Sequence, residues 1–215
     1  MTPRSSTLTN TSRTRRLLWA AWLVSAVFSP LYITVYACAL VLTMSYVSFL
    51  PAGFKIAILT VVWFFTVLLP RMFMYVYRRK NHLSRSEADS RRRRSALYVF
   101  TLTCYVSLLY FMVRLLAPHV LVVVVLGATV VALLCCLVNL CYKISSHAAS
   151  TGGAAGLLMA FSLVYGFDAT GWICGSVLFC GLICSARLVL RRHTLGEIGV
   201  GVAVGFLGAL VSGLI

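Results

Sequence analysis

Between Lys143 and Glu197 the chain carries a small set of residues able to handle a phosphate group. Ser145, Ser146 and His147 come immediately before an apolar run. The serines therefore stand where helix N-caps belong, and the first-turn N–H groups beyond them have no intrahelical partner. A helix start of that kind binds anions. Lys143 and Arg187 add positive charge, and the planar Arg fork meets two phosphate oxygens at once. His193 and Glu197 are four residues apart, hence on one face of a helix. The carboxylate then accepts one ring N–H and leaves the other ring nitrogen as a nucleophile. These are the parts of phosphoryl transfer through histidine. No set of His, Cys or carboxylate residues has metal-ligand spacing, so the expectation is chemistry without a metal or any other cofactor, with Lys and Arg supplying the charge stabilisation.

The elements that hold these residues must cross a membrane. Of 215 residues, 61% are hydrophobic and 11% charged, and the mean hydropathy is +0.97. Those values lie outside the range of soluble domains and inside that of multi-span membrane proteins. A charge at the bilayer centre costs roughly 2.5–3.5 kcal/mol even on lenient insertion scales, so Lys143, Arg187, His193 and Glu197 belong at a membrane surface or in a polar cavity. The expected fold is all-α: a polytopic helical bundle of about seven spans, or six if the first apolar stretch does not cross. All eight cysteines lie in or at the ends of apolar spans, where thiols act as small buried hydrophobes, and no disulfide framework is expected. From Leu17 the apolar run passes well beyond a signal core without a small-residue cleavage site, so the first span is expected to remain.

In chain order, residues 1–16 read as a mobile polar cytoplasmic lead, and 17–215 as the membrane domain. The first apolar stretch, Leu17 to Phe49, exceeds the ~20 residues needed to cross, and Pro30 is placed to divide an interfacial turn from the span proper. A second span runs from Phe54 to Val76, with Arg71 near its end, where it can snorkel towards the next loop. That loop, 77–95, is rich in arginine and ends in the run Arg91 to Arg94. One reading makes the run a positive-inside loop facing anionic lipid, and the other brings part of it to the polar site. Spans follow over Ala96–Leu116, His119–Cys141, Ala148–Tyr165, Trp172–Leu190 and Thr194–Ile215. Glycines of the fifth (Gly152, Gly153, Gly156) and seventh (Gly196, Gly199, Gly201, Gly205, Gly208) form small-residue faces that let helices approach closely in lipid.

With seven spans, the amino terminus, the arginine-rich loop, Lys143 to His147 and Arg187 to His193 share one side. Of the 19 Lys and Arg residues only Lys55, Arg71 and Arg114 fall elsewhere, which makes that side cytoplasmic and the protein a multi-pass protein of the cell (inner) membrane. The net charge of +15 is dispersed in short loops between apolar runs. This distribution argues for anionic lipid headgroups as partners and against nucleic acid.

The residues resemble those of the type-2 phosphatidic acid phosphatases, a superfamily shared with the vanadium haloperoxidases, in a divergent bacterial-type membrane form. Ile144-Ser145-Ser146-His147 is similar to Pro-Ser-Gly-His, and Ala186-Arg187, five residues, His193, three residues and Glu197 is similar to Ser-Arg-x5-His-x3-Asp. The family's first motif, Lys-x6-Arg-Pro, has no clean match, since Arg85 and Arg92 have the spacing without the proline. The resemblance covers the core 143–197 and implies roles. His193 attacks phosphorus, Glu197 orients it, and His147 protonates the leaving oxygen. Lys143, Arg187, Ser145 and Ser146 hold the phosphate. The implied substrate is a membrane lipid carrying a phosphate monoester or pyrophosphate. Two other readings fit the same residues: a proton-coupled transporter with His193 and Glu197 as relay, and a degenerate relative that binds anionic lipid without turnover.

Overall fold

The structure, a computed structural model, describes residues 5–44, 46–80, 91–166 and 168–215, with the backbone alone for 5–14, 44, 46, 80 and 91–93. Its long elements are helices: α1 (Ser5–Val27), α2 (Pro30–Met44), α3 (Ala52–Trp63), α4 (Leu69–Lys80) and α5 (Arg91–Arg114), followed by α6 (His119–Cys141), α7 (Ser146–Tyr165), α8 (Thr170–Val189) and α9 (Leu195–Gly213). The all-α bundle is as expected. Six helices are long and apolar enough to cross a membrane, and α1 with α2 makes a seventh if the pair is one bent span.

Pro30 is where the first stretch breaks. It opens α2 at the helical position that tolerates a missing N–H, and the axes on its two sides diverge by 58°. Both halves are helical, so the stretch is a bent helix pair rather than a turn followed by a span. Helix α1 also reaches back to Ser5, into the polar lead. Helices α3 and α4 form one rod, Ala52–Arg79, through a π-helical turn at Phe64–Leu68. Pro70 accounts for the widening, because its ring would clash with the carbonyl of residue 66 in a regular α-helix. The polar loop expected over 77–95 is helical in the parts described, and 81–90 lie outside the described residues. Helix α4 includes Lys80 and α5 includes Arg91, because Arg and Lys are good helix formers and the rods outrun the hydrocarbon.

Helices α6 and α7 are innermost: 50% and 56% of their most apolar windows are buried, against 17–33% in the other four long spans. Two buried hydroxyls return to their own helix, Thr66 donating to Val62 O (2.8 Å) and Thr129 to Val125 O (2.7 Å), while Thr34 and Tyr105 join their hydroxyls between helices (2.8 Å), so these donors are satisfied inside the bundle. The closest pairing is α7 with α9. The two run parallel, because α8 carries the chain back between them. A Cβ on Gly152 would lie 2.6 Å from the Val202 carbonyl oxygen, and one on Gly156 or Gly205 would run into the backbone of Phe206 or Ala149. The backbones can meet only where there is no side chain. Their N-termini are thereby brought side by side, and Ser145 N–H donates to the Glu197 carbonyl across the gap (3.3 Å). Gly156→Leu should therefore separate the pair and destabilise the bundle by more than the ~1–3 kcal/mol of ordinary overpacking. Gly181→Ala, which faces open space, should be tolerated. Thermal unfolding of the detergent-solubilised variants checks this, and equal midpoints for the two would contradict it.

Candidate functional site

His147 lies in the first turn of α7, two residues after the N-cap Ser145, whose hydroxyl accepts from Ala148 N–H (3.5 Å). His193 precedes the N-cap of α9, Thr194, whose hydroxyl accepts from Glu197 N–H (3.3 Å). The glycine-mediated contact of α7 and α9 therefore delivers both histidines to one end of the bundle, beside two helix N-termini with their partial positive charge. The His193 ring donates from Nδ1 to Glu197 Oε2 at 2.6 Å. A carboxylate can only accept, so Nδ1 carries the proton and Nε2 keeps its lone pair. That nitrogen has no hydrogen-bond partner among the described residues. Burial holds the His193 imidazole below its ordinary pKa against the opposing pull of Glu197, and the Arg187 guanidinium adds to the lowering. A neutral, oriented imidazole is the form a nucleophile requires.

His193, His147, Ser146 and Arg187 line a cavity of about 620 Å³. Arg94, the last arginine of the run, lines it as well, so part of the arginine-rich segment does reach the polar site. It is positioned by the start of α5, where Ser95 Oγ accepts from the buried Asn139 amide of α6 (3.2 Å). Arg85 lies outside the described residues. Below this charged rim the cavity wall is mainly apolar. Along α5 it extends from Arg94 to Tyr105 and along α7 from His147 to Leu157. Ten or eleven residues at ~1.5 Å each make a depth of about 15–16 Å, close to half of a ~30 Å hydrocarbon core. The volume and the division into polar mouth and apolar depth suit a ligand with a charged head and a hydrocarbon tail.

Helix α1 contributes a residue with no motif to announce it. Ser25 Oγ accepts from Arg187 Nη1 (2.9 Å), and its carbonyl oxygen accepts from His147 Nε2 (3.2 Å), which fixes the proton of His147 on that nitrogen. The hydroxyl next to Arg187 thus comes from α1, whereas the residue preceding Arg187, where the resembled motif has serine, is the buried Ala186. A smaller cavity of about 320 Å³, bordered by Trp22, Ser25 and Arg192, shares His193 and Arg187 with the larger one.

Lys143 and Ser145 are placed differently from Arg187. Lys143 Nζ stands 3.9 Å from Glu197 Oε2 and donates to the Arg192 carbonyl (3.3 Å), on the carboxylate side of the histidine. Ser145 is fully buried as a cap, and it is Ser146 that reaches the cavity wall. Sequence reasoning missed Ser25, Asn139, Arg71 and Arg78, of which the last two also line the cavity. Asn139 and Arg71 each had a signal, a polar group within or at the end of an apolar run. Ser25 had none. No protein-family model, curated protein or solved structure matches this chain.

Proposed function

We propose that the chain is a membrane lipid phosphatase, a divergent member of the type-2 phosphatidic acid phosphatases, acting on a lipid phosphate monoester or pyrophosphate through phosphohistidine. The observation that carries this reading is the His193–Glu197 pair at 2.6 Å, set at the charged mouth of a cavity whose depth is mainly apolar. His193 Nε2 attacks phosphorus while the bond from phosphorus to the lipid oxygen breaks, and His147, which the negative charge of the bound phosphate allows to be protonated, gives that oxygen its proton. Water then attacks the phosphohistidine, the N–P bond breaks, and His147 takes the proton released by the water. Arg187 and Arg94 hold the non-bridging oxygens, with Ser146 and the α7 N-terminus beside them. Lys143 steadies Glu197. His147 Nε2–H must exchange the Ser25 carbonyl for the lipid oxygen, so substrate binding shifts α1 locally. The site faces the cytoplasm of the cell (inner) membrane, because the basic loops flank it.

The test is phosphate release by purified detergent-solubilised protein across a panel of lipid phosphates and pyrophosphates in EDTA. Release that persists in the chelator is expected, since no three His, Cys, Asp or Glu side chains gather as metal ligands among the described residues. Absence of release from every lipid, or loss in EDTA restored by zinc or magnesium, overturns the proposal.

The pH profile gives a second check. On an aryl phosphate, whose departure does not wait on His147, turnover needs neutral His193, and the lowered pKa places the acid limb of kcat/KM below the ordinary histidine value of ~6.5. Glu197 raises that pKa, so Glu197→Gln should move the limb further down while cutting kcat by about 10²-fold or more. A limb that moves up would show that Glu197 acts otherwise.

A further inference from the structure

The cations around the large cavity outnumber what one phosphate monoester needs. Arg71, Arg78, Arg94 and Arg187 all line it, and no Asp or Glu does among the described residues. A monoester at neutral pH carries about −1.5 to −2, which Arg94 and Arg187 match. Arg71 and Arg78 are left over. They stand seven residues apart on α4, two turns on one face and about 10 Å along the axis. Both are exposed, yet Arg71 is held in place: its guanidinium lies over the Tyr32 ring, 4.9 Å from the centroid, near the start of α2. Guanidiniums that share a concave, partly apolar wall repel one another more than they would in open water, and an anion between them removes that cost. Arginines serving topology alone would reach outward to headgroups. These two border the same cavity as His193.

We infer that Arg71 and Arg78 form a second anion subsite, and that the ligand is a lipid bearing two phosphate groups, one at His193 and the other against α4. The inference rests on the phosphatase reading for its first phosphate. The two groups can be joined directly, as in a diphosphate, or separated by a short headgroup, and the subsite chemistry is the same.

Three non-hydrolysable lipids with one hydrocarbon chain test this: a monophosphonate, a methylene-bridged diphosphonate, and a bisphosphonate with its groups separated by three carbons. Equilibrium binding to the full chain in zwitterionic nanodiscs should favour one of the two-phosphonate lipids over the monophosphonate by at least about tenfold, as expected for charge-assisted hydrogen bonds. Arg71→Gln/Arg78→Gln should bring that ratio close to one. Equal affinities for all three lipids, or a preference untouched by the double substitution, overturns the subsite. A misfolded double variant shows itself by losing the monophosphonate too. Arg78→Gln alone, at an exposed position, then decides by whether it lowers the ratio. Wild-type protein that releases phosphate from no lipid yet keeps the two-phosphonate preference would refute the phosphatase reading and leave the subsite standing.

Discussion

His193→Ala should abolish turnover and leave no phosphorylated protein. The expectation follows because, among the described residues, no other cavity-lining nucleophile is paired with a carboxylate. His147, the other imidazole on the cavity, gives its Nε2–H to the neutral Ser25 carbonyl at 3.2 Å, whereas His193 gives Nδ1–H to the Glu197 carboxylate at 2.6 Å, which raises the nucleophilicity of Nε2 and stabilises the charge that forms on the ring. Losing a nucleophile that forms a covalent intermediate removes the pathway instead of slowing one of its steps. Mixing wild-type protein with a 32P-labelled lipid phosphate and quenching in alkali, in which phosphohistidine survives, should trap label on the protein. His193→Ala should trap none. Label persisting in that variant, or turnover above the uncatalysed rate, would mean that another group attacks phosphorus.

How far the site could be read from the chain follows from how local its parts are. His193 and Glu197 are four residues apart, and Ser145 to His147 are consecutive, so their nearness was legible, although His193 stands before the N-cap of α9 and its ring reaches Glu197 from outside the helix. That α7 and α9 each approach a neighbour closely was legible too, though not that the neighbour is the other, because glycine has few uses in an apolar helix other than close approach; Gly199, on the same helix, faces open space. Ser25 is different. It bonds residues 122 and 162 positions away, and no periodicity encodes such a pairing. Lys143 shows the opposite difficulty. Its position beside the serines suggested a phosphate ligand, yet the extended backbone after α6 sets its ammonium 3.9 Å from Glu197. A charge beside a motif can serve the substrate or the residue that serves the substrate, and only the path of the chain decides which. The arginine run posed the same question of direction. The bend at Pro30 and the tie between Asn139 and Ser95 decide which walls meet Arg94, and neither is visible in the run itself.

His147→Ala should separate the roles of the two histidines by the leaving group. Removing an acid that protonates the departing oxygen typically costs about 10²–10⁴-fold. That loss should be seen in full for a lipid alkoxide, which is too basic to leave without a proton. For an aryl phosphate such as p-nitrophenyl phosphate the phenolate departs nearly unaided, so the same substitution should cost little in phosphohistidine formation. Glu197→Gln should slow both substrates, because it weakens the attacking nitrogen whatever departs. The Ser25 contact sharpens the comparison. If His147 served only to anchor α1 through that carbonyl, its removal would loosen Arg187 as well, whose Nη1 bonds the same serine at 2.9 Å. Phosphate binding would then suffer equally for lipid and aryl substrates. Measuring kcat and KM for His147→Ala on one substrate of each kind therefore distinguishes an acid from an anchor: a loss in kcat confined to the lipid supports the acid, and matched losses with raised KM on both would assign His147 to holding α1 in place.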